Sequence, residues 1–174
     1  MRDGEYKKRR VMGTRATVLQ VFAAVAALAL GAAFYVANRP AGHSYLLTSA
    51  SRFFGRPVQL PGGIGGSFPS FLHVFAFTLL TTAALSRHTV RASAAVAAAW
   101  CATDALFEFG QHPAAAPLIA AALPEWFAGV PLLENAGSYF LRGTFDPIDL
   151  AATLVGAAVA FLAVAWSDRK GRAP

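Results

Sequence analysis

The chain reads as an all-α membrane protein, a bundle of four transmembrane helices with both termini cytoplasmic and two longer outer loops. Three observations predict this. Of the 174 residues, 56% are hydrophobic and only 14% are charged. Four stretches approach or reach the about 20 apolar residues that cross a bilayer. Those stretches are continuous and rich in Ala and Leu, not alternating with period two, so they predict helices and not the strands of a barrel. The chain divides into a basic N-terminal segment, 1–15, and a single membrane bundle, 16–174.

The first span, 16–37, carries no charge and follows a strongly basic start. It is longer than the h-region of a signal peptide, about 7–15 residues, and no good A-x-A site follows, so it reads as an uncleaved anchor. The second, 69–85, holds His73 as its only ionisable group. The third, 90–109, carries Asp104 and Glu108. The fourth, 148–166, has Asp149 near its start. Orientation follows from the basic residues. Arg2, Lys7, Lys8, Arg9, Arg10 and Arg15 precede span one, Arg87 and Arg91 flank the turn between spans two and three, and Arg169, Lys170 and Arg172 follow span four. With four spans all of these share the cytoplasmic side, leaving Arg39, Arg52, Arg56 and Arg142 outside. The net charge of +6 is then a topology signal and not a nucleic-acid footprint, because it flanks spans instead of forming a basic domain.

The connections differ in kind. Ser86 to Thr89 is a tight turn. Asn38 to Ser67 mixes Tyr45, Leu46, Leu47, Phe53 and Phe54 with polar residues, which predicts a helix lying in the membrane interface. It ends in Pro61-Gly62-Gly63-Ile64-Gly65-Gly66-Ser67, where consecutive glycines before a helix N-terminus can cradle an anion; with no GxGxxG or Walker pattern present, a flexible connector is the better reading. The second outer loop, Gln111 to Asp146, contains an apolar run from Ala114 to Leu123 that is too short to span and is either interfacial or re-entrant. Trp126, Phe127, Tyr139 and Phe140 follow it as an aromatic belt, and the loop is placed to act as a lid. Cys101 is the single cysteine and forms no intrachain disulfide. A preference for Arg and Ala fits a GC-rich bacterial genome.

Asp104, Glu108 and Gln111 are three or four residues apart, so a helix stacks them on one face. An acidic side chain in hydrocarbon costs about 2.5–3.5 kcal/mol on insertion scales, so the fold has to offset two of them. Alternating span direction brings more polar groups to the same outer third: His73 one turn into span two, Asp104, Glu108, Gln111 and His112 at the end of span three, Asp146 and Asp149 at the start of span four. For Asp146-Pro147-Ile148-Asp149 the plain reading is an N-cap, a Pro at N1 and an acid at N3. His73 has two readings, a hydrogen bond across helices or a functional group. For Asp104 and Glu108 the candidate partners are His73, His112 and Arg142. Glu108 and His112, four apart, with His73 and an aspartate would also make a metal set, but no HExxH is present and no metal is assigned. No GxSxG elbow supports a serine nucleophile. Small residues at Ala23, Ala27 and Gly31, and at Ala152, Gly156 and Ala160, predict close helix packing.

Residues of about 67–166 resemble the VanZ-like family of bacterial membrane proteins. The likeness rests on Ser70-Phe-Leu-His73-Val-Phe-Ala-Phe77 in span two, on Glu108-x-x-Gln111 closing span three, and on Phe145-Asp146-x-x-Asp149-Leu-Ala-Ala152 leading to Gly156. On that resemblance His73, Glu108, Gln111 and Asp149 are the signature polar positions. The chain departs from the family at Ala152 and Thr153, where an Asn is usual, and in its longer outer loop, where Arg142 is the candidate for the family's basic residue. The resemblance implies a cell-envelope role, in some members teicoplanin resistance.

Three functions are consistent with these residues. In the first, the outward-facing site binds or transforms an envelope or lipid-linked ligand, with Glu108, His73, Asp149 and Asp104 as candidate catalytic groups and Gln111, His112 and Arg142 as candidate ligand-binding groups. In the second, the polar cluster only locks the helices of a structural or accessory protein. In the third, the chain is a subunit of a small-molecule transporter, although no inverted repeat is visible.

Overall fold

The computed structural model describes residues 2–38, 64–85, 89–131 and 133–172. Every regular element among them is helical: α1 Arg2–Asn38, α2 Ile64–Leu85, α3 Val90–Gly110, α4 Ala116–Ala122, α5 Ala136–Arg142 and α6 Pro147–Arg172, with single 3-10 turns at Glu125–Phe127 and Leu133–Asn135. The interfacial helix expected between spans one and two, and most of the turn at Ser86–Thr89, lie outside the described residues. Gly65, Gly66 and Ser67 are not connector, as the glycine run predicts, but the first turns of α2. Two glycines cost helix propensity, yet the packing of the rest of α2 outweighs it.

Three helices are long and apolar enough to cross a membrane, over Arg15–Phe34, Gly66–Leu85 and Pro147–Arg169. This makes the chain a membrane protein by length and composition. Helix α3 has the length, 21 residues or about 32 Å at 1.5 Å per residue, but Asp104 and Glu108 lower its apolarity.

The four long helices pack side by side, with α2 and α6 as the central pair, α1 against α2 and α3 against both. Specific contacts fix the directions. Gln20 Nε2 of α1 donates to the Leu79 carbonyl at 2.8 Å and to Thr82 Oγ1, while Phe34 meets Phe68 at the other end, so α1 and α2 are antiparallel. Trp100 Nε1 of α3 donates to Thr81 Oγ1 at 2.9 Å, and His73 meets Asp104, so α2 and α3 are antiparallel too. Between α2 and α6 the chains run parallel and close: a Cβ on Gly156 would lie 2.5 Å from the Phe71 carbonyl oxygen.

The core follows from small residues at these crossings. Ala24, Ala27, Leu72, Ala76, Leu79, Ala160 and Val164 join α1, α2 and α6. Val74, Ala97 and Ala157 join α2, α3 and α6. Lipid tails are as apolar as these side chains, so close packing and interhelical hydrogen bonds hold the helices, not the hydrophobic effect. At one end of the bundle α4 and α5 pack chiefly on each other as a short hairpin.

Candidate functional site

The polar groups gather where α2 and α6 begin and α3 ends. At the start of α6, Asp146 is the N-cap: its Oδ1 accepts from the Ile148 N–H at 2.9 Å, and Pro147 takes the N1 position, where no donor is needed. In a capping box the N3 side chain would then reach back to the N-cap amide. Here N3 is Asp149, one methylene shorter than Glu, and the Asp146 N–H goes elsewhere. It donates to Glu108 Oε1, 38 residues away in the chain on α3, at 2.5 Å. Glu108 completes from a neighbouring helix the cap that α6 does not complete itself.

Asp149 is thereby left over. Its Oδ1 is buried and, among the described residues, has no hydrogen-bond partner. Glu108 lies within electrostatic reach of Asp149, Asp146 and Asp104, so four carboxylates share this end of the bundle.

Asp104 has its own partner. His73 Nδ1 lies 2.9 Å from Asp104 Oδ1, with the His73 side chain 45% exposed and that of Asp104 14% exposed. With the carboxylate ionised, Nδ1 carries the proton and donates it, which leaves Nε2 as the acceptor of the neutral ring. The imidazole is held edge-on by Phe77, with centroids 4.5 Å apart, and Phe77 stacks on Trp100. The Trp100–Thr81 bond fixes that indole in turn. Helix α2 thus presents His73 in one orientation, toward α3.

One turn beyond Glu108, Gln111 caps α3 and donates from Nε2 to the Tyr139 hydroxyl on α5 at 2.9 Å. Gly143 passes so close to the Gln111 side chain that no Cβ fits there, and Gly110 likewise seats the Phe140 ring. His112 is exposed, its Nδ1 accepting from the Ala114 N–H at 3.3 Å and its ring set edge-on to Phe145. Arg142 occupies the last turn of α5 and is exposed.

The helical stripe of the sequence therefore fans out over three elements. Asp104 goes to α2, Glu108 to the start of α6, and Gln111 to α5. His73 pairs with Asp104 and not with Glu108. Among the described residues, no three of His, Cys, Asp and Glu are placed to hold a metal ion together. Residues that sequence reasoning did not single out support the arrangement. Thr81 and Trp100 orient the His73 wall, and Gln20 ties α1 to α2. A lone amide in an otherwise apolar span was the available signal for Gln20.

The chemistry on offer is that of a carboxylate with one buried oxygen unbonded among the described residues, Asp149, and of an imidazole backed by a carboxylate, His73 with Asp104. Both can accept or donate a proton or a hydrogen bond. Compared with known proteins, the chain matches no family model, no curated protein and no solved structure.

Proposed function

We propose that this chain is a VanZ-like integral membrane protein of the bacterial cell envelope, with four spans, both termini in the cytoplasm, and a polar site that opens on the outer face. Helix α3 is the fourth span. Its length matches a hydrocarbon core of about 30 Å, and its two acids have partners on neighbouring helices. The site engages an envelope or lipid-linked molecule and contributes to the response to glycopeptide antibiotics. Asp149 and His73 meet the ligand, while Glu108 and Asp104 hold their surroundings in place. The single observation that carries this reading is the buried oxygen of Asp149, unpartnered among the described residues, beside Glu108 where α3 ends and α6 begins.

Teicoplanin susceptibility of bacteria expressing the chain tests it. Wild type is expected to raise the tolerated concentration, Asp149→Asn to abolish the effect, and Glu108→Gln to keep it, because the amide oxygen still accepts from Asp146. Full activity of Asp149→Asn would refute the assignment, and no effect of wild type would remove the antibiotic role. The Glu108–Asp146 bond also favours a second reading, in which the cluster only locks the helices. That reading predicts that Asp149→Asn keeps both the fold and the effect, while Glu108→Ala loses stability and the effect together, which thermal unfolding in detergent checks.

A further inference from the structure

We infer that the α4–α5 hairpin lies in the lipid interface, its apolar face covered by headgroups and upper acyl chains, and is not a lid over the polar site. The inference rests on the reading that α3 and α6 cross the bilayer. Residues 113–142 carry three charges, Glu125 and Glu134 in the 3-10 turns and Arg142 in the last turn of α5. Folding does not hide this apolar segment: Leu118 is 72% exposed, Trp126 64% and Leu141 57%. Exposed Phe107 joins that surface to the end of α3 through its ring contacts with Tyr139 and Phe140. The apolar face is therefore a continuation of the lipid-facing wall of a span, and the same solvent, lipid, covers both.

The backbone is prepared for that environment. Hydrocarbon tolerates few unpaired N–H groups. Pro113, Pro117, Pro124 and Pro131 have no N–H to satisfy. The Ala115 and Ala116 amides bond to the His112 carbonyl at 2.8 and 2.9 Å, and the Ala114 amide bonds to His112 Nδ1. Turn bonds close the next stretch, from Phe127 to Pro124, Ala128 to Glu125 and Val130 to Phe127. Helix α4, with 7 residues, reaches only about 10 Å, which suits the interface and not a crossing. Trp126 and Tyr139 are the side chains expected at headgroup depth. A lid would cover the site, yet the His73 side chain stays 45% exposed.

Single cysteines placed in the full-length Cys101→Ala protein test the depth of the hairpin. The protein is held in phosphatidylethanolamine/phosphatidylglycerol nanodiscs, whose two faces are both open to reagent, and labelled with a sulfonated, membrane-impermeant maleimide. Leu118→Cys probes the hairpin, Glu125→Cys the water-facing side, and Ala98→Cys the middle of α3. All three positions are exposed, so the substitutions leave the packing intact. Leu118→Cys and Ala98→Cys are expected to label at least about tenfold more slowly than Glu125→Cys, since the reactive thiolate does not form in hydrocarbon. Slow Ala98→Cys with Leu118→Cys as fast as Glu125→Cys would overturn the interfacial placement alone and restore the lid. Fast Ala98→Cys would overturn the spanning reading of α3, and this inference with it.

Discussion

Gly156→Ala is the sharpest perturbation of the bundle, because a single methyl group meets backbone. An added Cβ would lie 2.5 Å from the Phe71 carbonyl oxygen and 3.2 Å from Phe71 C and Cα, where ordinary contact begins at 3.4 Å. Neither partner can rotate away, so α2 and α6 must part by roughly 0.9 Å locally. A gap of about 0.5–1 Å forfeits a quarter to a half of each dispersion contact, and each contact is worth about 0.1–0.2 kcal/mol. Overpacking of this kind costs about 1–3 kcal/mol. Against it stands the helix propensity of Ala over Gly, a gain of about 1 kcal/mol. The net expectation is a loss of up to about 2 kcal/mol, toward the upper end because the seam concerned is the central one of the bundle. Gly66→Ala in α2 is the matched control: among the described residues nothing lies within 4 Å of its added Cβ, so only the propensity gain of up to about 1 kcal/mol remains. Thermal unfolding in one detergent should move the two variants in opposite directions. Equal midpoints for both would refute the argument that α2 and α6 touch through backbone at Gly156.

Glu108→Ala removes the acceptor of the Asp146 amide and is expected to cost about 1–2 kcal/mol, the penalty of a part-buried donor left unmade. Glu108→Gln keeps an oxygen there and should stay within about 1 kcal/mol of wild type; chemical denaturation of the two variants checks the difference. Gln20→Leu deletes both bonds from α1 to α2, with an expected loss of about 0.6–1.7 kcal/mol, read as earlier release of α1 in crosslinking between α1 and α2 on heating. Gly110→Ala drives a Cβ to 2.6 Å from the Phe140 ring and should loosen α5 from α3, seen as faster proteolysis between 111 and 146 with the spans still protected.

Much of the fold was legible in hydropathy. The stretches Arg15–Phe34 of α1, Gly66–Leu85 of α2 and Pro147–Arg169 of α6 are long and predominantly apolar, and their existence did not depend on context. The start of α2 was not legible, because Gly65 and Gly66 carry a connector's local preference and only tertiary packing overrides it. At the site, alternating helix direction was enough to bring His73, Asp104, Glu108, Asp146 and Asp149 to one end. Their pairing was not. Each residue turns a helix by about 100°, so the choice of Asp104 or Glu108 for His73 depends on how α2 and α3 are rotated against each other. That rotation is set by Val74, Ala97 and the Trp100–Thr81 bond, whose partners sequence spacing does not reveal. The N-cap at Asp146 was readable from Asp-Pro-x-Asp, but the missing half of its capping box was not, since Glu108 supplies it from another helix.

That borrowed cap has a consequence for how the protein is made. On the four-span reading, α3 leaves the ribosome with two acids that a translocon handles poorly. His73 is already present to receive Asp104, but the amide that receives Glu108 emerges 38 residues later, roughly 2–8 s at 5–20 residues per second. During that interval α3 is an incomplete passenger, stable in lipid only while the insertion machinery shelters its final turns. On that same four-span reading, the arrival of α6 settles both helices at once, and α3 and α6 enter the membrane as a pair and not as successive steps.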